Sequence, residues 1–242
     1  MNILAIGNSF SEDAMRYLHG VAEADGEEIE AVNLFVGGCT LERHHRQMLS
    51  DELAYEWQYN GQNTGRFVSL RGGLLDRRWD VVTLQQASHV SFDRASYEPY
   101  LSALINFVRE RAPDAKIYIH QTWAYENGSA RLFDATPYAT SEEMLADVVA
   151  AYGEMAASVC AHGIIRSGEL LEALWAKGMT GLYRDGFHAS YGLGRYALGL
   201  LWYRTLTGNA VSHNAFCTFD EPLTEAQIRA VQSIVDSVPV GG

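Results

Sequence analysis

The stretch of sequence that decides the fold is ILAIGNSFS, residues 3–11, close to the start of the chain. Four apolar residues in a row are typical of a buried parallel strand, and Gly7 after them lets the chain turn sharply. The residues that follow, Asn8, Ser9 and Ser11, are of the types that begin helices. The stretch therefore predicts a strand-to-helix turn that places the Ser9 hydroxyl at the carboxyl end of the first strand.

Strand-like and helix-like segments alternate through the rest of the chain. Further strand-like runs lie at Ile29–Val36, Val81–Leu84, Lys116–His120 and Gly163–Ile165. Helical patterns lie at Glu12–Ala24, Leu41–Leu49, Tyr97–Arg111, Ser141–Cys160, Gly168–Lys177, Tyr191–Leu206 and Thr224–Val238. This alternation predicts an α/β fold in which helices cover both faces of a parallel sheet, with the working site at the carboxyl ends of the strands.

One domain is expected to span residues 1–242, because this length fits a single larger α/β domain and no linker or internal repeat interrupts it. The composition, 48% hydrophobic and 20% charged, is that of an ordinary globular protein. Aromatic and polar residues alternate from Tyr55 to Leu70 around Asn60-Gly61, which predicts a β-hairpin insertion near residues 54–70.

The charge balance and the cysteines exclude several classes of protein. With 18 basic and 30 acidic residues the net charge is −12, which argues against a nucleic-acid partner. No run reaches the ~20 apolar residues of a membrane span, and no basic leader precedes the first strand. The three cysteines show no C-x-x-C spacing, which favours reduced thiols and a cytoplasmic location, although a trimmed export signal is compatible with the sequence. The oligomeric state stays open.

A second motif, DGFHAS at residues 185–190, places Asp185 three residues before His188. A serine nucleophile needs a base to take its proton, and that base needs a carboxylate to fix its tautomer. Each motif alone has a plainer explanation, since Ser9 can cap a helix and Asp185 can close a turn. Together they predict a catalytic triad of Ser9, His188 and Asp185.

With these motifs in this order, the chain from Ile3 to about Gly199 resembles the GDSL/SGNH hydrolase superfamily. The resemblance is closest to a largely uncharacterised bacterial branch with G-N-S-F at the nucleophile and W-D-x-V-x-L-Q, here residues 79–85, at the third strand. It implies a three-layer α/β/α sandwich with a mainly five-stranded, parallel, flavodoxin-like sheet. It also implies that Ser9 attacks an ester carbonyl, and that the backbone amides of Ser9 and Gly38 line an oxyanion hole.

The third oxyanion donor departs from the familiar pattern of this superfamily. In place of G-x-N-D the chain has LQQAS at residues 84–88, which is similar to the glutamine variant of some carbohydrate esterases. Successive side chains on a strand face opposite ways, so only one of Gln85 and Gln86 can face the site. Gln85 is the predicted donor, and Gln86 then has a structural role or contributes to substrate binding. Ser88 and His89 are the next candidates.

The loop after the fourth strand is the expected specificity loop, because loops at strand carboxyl ends carry function. Its aromatic residues Trp123 and Tyr125 are predicted to stack on a sugar or an acyl chain, with Tyr138 as a further ring of this loop. The alternative is that Trp123 packs beneath the loop as an anchor. His120, at the end of the strand, fits a hydrogen-bonded structural residue better than a second base.

No metal or cofactor is expected. Adjacent side chains on a helix point about 100° apart, so His44 and His45 cannot easily ligate one ion, and a surface position is favoured for them. Cys39 has no partner base in the sequence and is interpreted as a small packed side chain rather than a nucleophile.

These observations predict a serine esterase that hydrolyses small acyl esters through an acyl-enzyme. The glutamine variant implies O-acetyl groups, and the expected partner is a small-molecule or carbohydrate ester. Two alternatives remain at this stage. One is a lipase-type or thioesterase-type acyl hydrolase, and the other is a carbohydrate-binding protein that keeps the fold without turnover.

Overall fold

A computed structural model describes residues 1–240, and a seven-stranded sheet forms its centre. The strands are β1 (Asn2–Gly7), β2 (Glu30–Phe35), β3 (Tyr55–Tyr59), β4 (Gln62–Val68), β5 (Val81–Leu84), β6 (Lys116–Gln121) and β7 (Gly163–Arg166). Their order across the sheet is β4-β3-β2-β1-β5-β6-β7. Strands β2, β1, β5, β6 and β7 run parallel, whereas β3 and β4 form an antiparallel hairpin on the β2 edge.

Helices connect and flank these strands. They are α1 (Ser9–Met15), α2 (Leu18–Glu23), α3 (Leu41–Ser50), α4 (Leu70–Leu75), α5 (Tyr100–Arg111), α6 (Ala130–Ala135), α7 (Ser141–Ser158), α8 (Ser167–Ala176), α9 (Leu193–Thr207) and α10 (Glu225–Ser237). Short 3₁₀ turns occupy Ser88–Val90 and Arg94–Ser96. Helices α1, α2 and α10 pack on α9, and α3 and α4 pack on α5, so each group of helices is held together by its own contacts.

The predicted α/β class and the five-stranded parallel sheet are confirmed. Counted alone, the parallel strands have the flavodoxin-like order 2-1-3-4-5. The sheet itself has seven strands because the hairpin, which the sequence predicts near residues 54–70, extends it rather than standing apart. Leu34 pairs with Trp57 and Tyr55 pairs with Val68. The hairpin thereby covers backbone groups that a free β2 edge would expose.

One helix differs from its prediction. The pattern over residues 12–24 predicts a continuous helix, but the chain forms α1 and α2 with a break at Arg16 and Tyr17. The Tyr17 hydroxyl donates to the carbonyl of Tyr191 and accepts from the amide of Asp220. Arg16 donates to the Asp220 carboxylate and to the carbonyl of Gly61. These tertiary contacts hold both residues at the break.

The order of the strands places the first strand-to-helix turn at a switch point of the sheet. Strand β1 lies between β2 and β5, so the chain leaves it in one direction to build β2 and later crosses to the other side to build β5. Ligand sites of open α/β sheets form in the crevice at such a point. The apolar residues 3–6 of β1 are buried in the main hydrophobic cluster, which fixes the position of the turn that follows them.

Candidate active site

Ser9 is the first residue of α1, and Asn8 caps this helix. The Asn8 side-chain oxygen accepts from the amide of Phe10 at 3.0 Å, and the Ser11 hydroxyl accepts from the amide of Asn8 at 3.1 Å. A side chain at Gly7 would lie 2.0 Å from the Ser11 hydroxyl, so only glycine fits before this cap. The Asn8 cap therefore leaves the hydroxyl of Ser9 free for another partner.

That partner is His188. The Ser9 Oγ lies 2.9 Å from His188 Nε2, and His188 Nδ1 lies 2.7 Å from Asp185 Oδ2. The other carboxylate oxygen of Asp185 accepts from the amides of His188 at 2.8 Å and Phe187 at 3.3 Å. The structure thus brings together all three predicted triad residues, although Ser9 and His188 are separated by 179 positions in the sequence.

The hydrogen bonds to Asp185 determine which nitrogen of His188 carries the proton. Desolvation raises the pKa of Asp185, but the bonds from the ring and amide of His188 outweigh it and hold that pKa below its usual range. The carboxylate is therefore ionised and can only accept, so a neutral His188 carries its proton on Nδ1. Nε2 is then an acceptor, and the Ser9 hydroxyl must donate to it.

The loop that carries His188 is fixed by its neighbours. The carbonyl of Phe187 accepts from the Trp123 indole at 2.7 Å, and the carbonyl of Gly186 accepts from the amide of Glu126 at 2.8 Å. Gly186 has φ +83°, a conformation that favours glycine. The ring of Phe187 lies 3.9 Å from that of His188, centre to centre. The imidazole is therefore positioned by packing as well as by Asp185.

Asp13 is a site residue that sequence reasoning missed. It lies one helical turn after Ser9 and is 0% exposed. Its carboxylate accepts from Arg184 at 2.9 Å, from Arg195 at 2.8 Å and from the amide of Ala189 at 3.2 Å. These residues flank the triad loop, so Asp13 ties helix α1 to the segment that carries Asp185 and His188. The signal in the sequence was a carboxylate on the apolar face of a short helix.

The Asp13 cluster continues toward the surface. Arg195 also pairs with Asp220 at 3.0 Å, and the guanidinium groups of Arg184 and Arg195 lie 4.7 and 4.6 Å from the ring centre of Tyr191. A buried carboxylate is tolerated when cations and amides satisfy it, and losing one partner of such a group costs about 3–5 kcal/mol. The cluster therefore fixes α1, which carries Ser9, relative to the loop that carries Asp185 and His188.

The predicted oxyanion loop lies beside the Ser9 turn. The Asn8 side-chain amide donates to the carbonyl of Cys39 at 3.1 Å, which joins the loop after β2 to the turn after β1. Gly38 in this loop is exposed and has φ +59°. Within residues 1–240 the backbone amides of Ser9 and Gly38 donate no hydrogen bond. Both are available to a bound group.

Gln85 lies in a buried chain of hydrogen bonds with one consistent direction. Because Asn8 Oδ1 accepts from Phe10, it must receive the Gln85 amide, which donates at 2.7 Å. Gln85 Oε1 consequently faces His120 and accepts from its Nδ1 at 2.6 Å. His120 Nε2 then accepts from the Ser167 hydroxyl at 3.0 Å. Burial lowers the pKa of His120 to about 3, so its ring is neutral.

The hydrogen-bonded, structural interpretation of His120 is therefore confirmed. Gln85 is on the site side of the strand end, as predicted, since it contacts the Asn8 cap beside Ser9. One of the two Nε2 protons of Gln85 is used on Asn8, which leaves the second. Whether that proton meets an oxyanion stays a prediction.

The substrate-binding prediction for Gln86 is wrong. Its side chain is 1% exposed, and its oxygen accepts from the amides of Leu41 and Ala87, each at 2.9 Å. Its amide nitrogen donates to the carbonyl and to the hydroxyl of Ser96, at 2.9 and 3.0 Å. No capacity remains for a ligand, so Gln86 joins α3 to the loop after β5.

The stacking roles predicted for Trp123 and Tyr125 are also wrong, because both side chains are 0% exposed. Trp123 stacks on Phe10 with ring centres 4.1 Å apart, which confirms the alternative of an anchor beneath the loop. The Tyr125 hydroxyl bonds to the Ser88 hydroxyl at 3.0 Å. Both side chains contact Phe187 and so support the loop that carries His188. Ser88, the other oxyanion candidate beside His89, already has a hydrogen-bond partner.

The remaining candidates separate clearly. Burial raises the pKa of the Cys39 thiol to about 12, which fits a packed side chain. His44 is buried against Tyr55 rather than on the surface as predicted, because it lies on the inner face of α3, and burial lowers its pKa to about 3.

Over residues 1–240 no group of three or more His, Cys, Asp or Glu side chains is arranged to hold a metal. No helix in this range is long and apolar enough to cross a membrane.

Comparison with known proteins supports the architecture. Residues 2–232 match the family described as "Domain of unknown function (DUF4886)". The crystal structure of a DUF4886 family protein from Bacteroides uniformis is 32% identical, with a TM-score of 0.91 over 98% of this chain and 93% of that one. A comparison with the curated proteins finds no match.

More distant structures share the fold. A protein from Slackia heliotrinireducens, provisionally described as an SGNH hydrolase, is 22% identical, with a TM-score of 0.61 over 85% of this chain and 98% of that one. An acetyl xylan esterase is 12% identical, with a TM-score of 0.57 over 84% of this chain and 98% of that one. The SGNH hydrolase fold implied by the sequence motifs is thus confirmed.

Proposed function

The chain belongs to the DUF4886 family and has the SGNH hydrolase fold, and from this premise we propose that it is a serine esterase for small acyl esters. The observation that carries the proposal is the continuous hydrogen-bonded line from Ser9 Oγ through His188 to Asp185, with distances of 2.9 and 2.7 Å. A neutral imidazole whose acceptor nitrogen meets a serine hydroxyl is arranged for general-base catalysis.

In the proposed first step, Ser9 Oγ bonds to the ester carbonyl carbon while its proton moves to His188 Nε2. Asp185 stabilises the imidazolium that forms. The tetrahedral intermediate then expels the alcohol oxygen, which takes the proton from His188, and leaves an acyl-Ser9. Water repeats the sequence, giving its proton to His188, releasing the acid and restoring the hydroxyl of Ser9.

The oxyanion of each intermediate needs donors that are in place before the reaction. In the proposal these are the unoccupied backbone amides of Ser9 and Gly38 and the second Nε2 proton of Gln85. The Asn8 side chain contacts both the Cys39 carbonyl and Gln85. It therefore holds the loop after β2 and the end of β5 around the Ser9 turn. This placement supports a shared site for the three donors.

A short acyl group, with acetyl on a carbohydrate as the favoured substrate, is the finer part of the proposal. Gln85 at the end of β5 and the fold shared with an acetyl xylan esterase support this substrate class. Phe10 and Trp123, two aromatic side chains near the triad, are stacked on one another and buried, which favours a compact acyl pocket over a long apolar channel.

The test is stoichiometric labelling by a fluorophosphonate, combined with hydrolysis of p-nitrophenyl esters of graded chain length and of acetylated sugars. The proposal expects one label per chain at Ser9 and the highest kcat/KM for acetyl esters. A preference for long acyl chains or thioesters would make it a lipase-type or thioesterase-type hydrolase. Binding of sugars with neither labelling nor turnover would make it a carbohydrate-binding protein and overturn the proposal.

A further inference from the structure

An arginine lies at the rim of the triad. The guanidinium carbon of Arg131, in α6, is 4.6 Å from the ring centre of Phe187. That ring lies 3.9 Å from the ring of His188, whose Nε2 is 2.9 Å from Ser9 Oγ. Arg131 is therefore within reach of a substituent on a molecule bound at Ser9.

Arg131 has no acidic partner in the described part of the chain. Most arginines there form an ion pair with a carboxylate, as Arg94 does with Glu154 at 2.7 Å, but no ion pair over residues 1–240 includes Arg131. Arg131 is exposed, and the chain carries a net charge of −12, so acidic side chains are abundant on its surface. An arginine without an acidic partner, in contact with the residue that precedes His188, is thus a specific feature.

Aromatic rings hold this guanidinium in place of a carboxylate. Besides Phe187, the ring of Tyr125 lies 5.8 Å from the Arg131 guanidinium carbon. Cation–π contacts of this kind attract the cation without using its N–H groups on an acceptor. The guanidinium also approaches the Tyr125 hydroxyl, which engages part of its donors. The remaining N–H groups of the planar fork are free for a two-oxygen anion such as a carboxylate or a phosphate.

A second unpaired arginine adds to the positive charge near the site. Arg43 in α3 approaches the carbonyl of Gly37, at 3.5 Å, and has no carboxylate partner among residues 1–240. It therefore lies beside the loop of Gly38. His89, which lies near Arg131, contributes no charge at neutral pH, because desolvation and the positive charge of Arg131 lower its pKa.

The position of Arg131 relative to His188 indicates which part of the substrate it contacts. In the proposed reaction His188 returns the proton to the departing alcohol, so the alcohol side of the ester faces His188. Arg131 packs on Phe187, the residue directly before His188, so it lies with the loop that carries His188. We propose that the alcohol carrying the acyl group is an acidic one, with a carboxylate or phosphate bound by Arg131; this rests on the serine esterase function proposed above.

The experiment measures binding separately from turnover, so that failure of the esterase proposal does not mask the result. Calorimetry with Ser9→Ala at low salt compares an O-acetylated methyl glucuronoside, its 6-phosphate glucoside counterpart and the neutral methyl glucoside, acetylated at the same position. We expect at least one anionic ester to bind about five- to tenfold more tightly than the neutral one. The two anionic ligands distinguish a carboxylate from a phosphate.

Two double variants assign the preference to its residue. In Ser9→Ala combined with Arg131→Gln, the preference falls below twofold. In Ser9→Ala combined with Arg229→Gln, it persists, because Arg229 is an exposed arginine of α10 whose loss changes the net charge equally. The proposal is overturned if the neutral ester binds as tightly as both anionic ones, if no ester binds, or if the preference survives Arg131→Gln. Labelling and hydrolysis by the wild-type protein test the esterase function independently.

Discussion

The carboxylate of Asp13 accepts a hydrogen bond from the backbone amide of Ala189 at 3.2 Å. Asp13 stands one turn after Ser9 on α1, and Ala189 directly follows His188, so this contact joins the two segments that carry the proposed nucleophile and its proposed base. Arg184 reinforces the connection, since its guanidinium donates both to Asp13 and to the carbonyl of Ala189. The distance between Ser9 and His188 therefore depends on a group that takes no part in the proposed chemistry.

Replacement of Asp13 should affect both stability and turnover. Asp13→Asn removes a buried charge that two arginines share, so we expect the free energy of unfolding to fall by about 3–5 kcal/mol. Because a misplacement of about 1 Å can cost 10²-fold in rate, kcat of the folded variant should fall by about 10- to 100-fold. Asp220→Asn is the matched control, since Asp220 also pairs with Arg195 but does not contact Ala189. Equal losses of kcat in both variants would contradict the positioning role.

Removal of the nucleophile should abolish activity without disturbing the fold. Ser9→Ala deletes the Oγ that bonds to the carbonyl carbon, and we expect kcat to fall by about 10⁴-fold or more. Circular dichroism and the unfolding midpoint should stay at wild-type values, because the Asn8 cap does not use the Ser9 side chain. The control Ser158→Ala, at the exposed end of α7, should keep full activity. More than a tenth of wild-type kcat in Ser9→Ala would assign the nucleophile elsewhere.

The two adjacent glutamines should give opposite phenotypes. If Gln85 donates to the oxyanion, Gln85→Ala lowers kcat of the folded protein by about 10²- to 10³-fold with little change in KM. Gln86→Ala leaves the buried amides of Leu41 and Ala87 without an acceptor and should reduce the free energy of unfolding by about 1–3 kcal/mol, with kcat nearly unchanged. Kinetics and urea unfolding of both variants decide the matter. A Gln85→Ala variant with normal kcat would move the third donor elsewhere, with His89 the next candidate.

Stability should decrease in mild acid because of buried neutral histidines. Burial lowers the pKa of both His44 and His120 from the ordinary value of 6.5 to about 3. Below pH 6.5 the unfolded chain therefore binds protons that the folded chain does not, and stability is lost as the pH falls from 6.5 toward 3. Urea unfolding between pH 7.5 and 4.5 should show a shallower loss for His120→Gln than for the wild type. The exposed control His213→Gln should follow the wild-type slope, and an unchanged slope in His120→Gln would refute this explanation.

Turnover should not depend on a bound metal ion. The proposed proton transfers use only Ser9, His188 and Asp185, and the oxyanion donors are amides. Dialysis against EDTA should therefore leave the initial rate of ester hydrolysis unchanged, and elemental analysis of the dialysed protein checks that metal has been removed. Loss of activity that one divalent ion restores would require a different mechanism.

The sequence alone was sufficient for the features that are encoded locally. Apolar runs such as residues 3–6 predict buried strands, and their alternation with helical patterns predicts the parallel sheet, because each segment's periodicity reflects the surface that it buries. The spacing of Asp185 and His188 sets their contact directly, since a turn with two intervening residues brings the carboxylate to Nδ1. The meeting of Ser9 with His188 is not encoded locally, and it was anticipated from the chemistry that a serine nucleophile requires and from the resemblance to a known superfamily.

What the tertiary structure decided is which polar and aromatic groups are exposed and which are used internally. Gln86, Trp123 and Tyr125 have residue types that suit a binding site, yet each is buried by segments far away in the chain. Asp13 bonds to residues 171 to 182 positions away, and no local pattern reports such a distance. A side chain's burial and hydrogen-bond partners are properties of the packed molecule, because they depend on which distant segments lie against it, and a sequence motif specifies only its own neighbours.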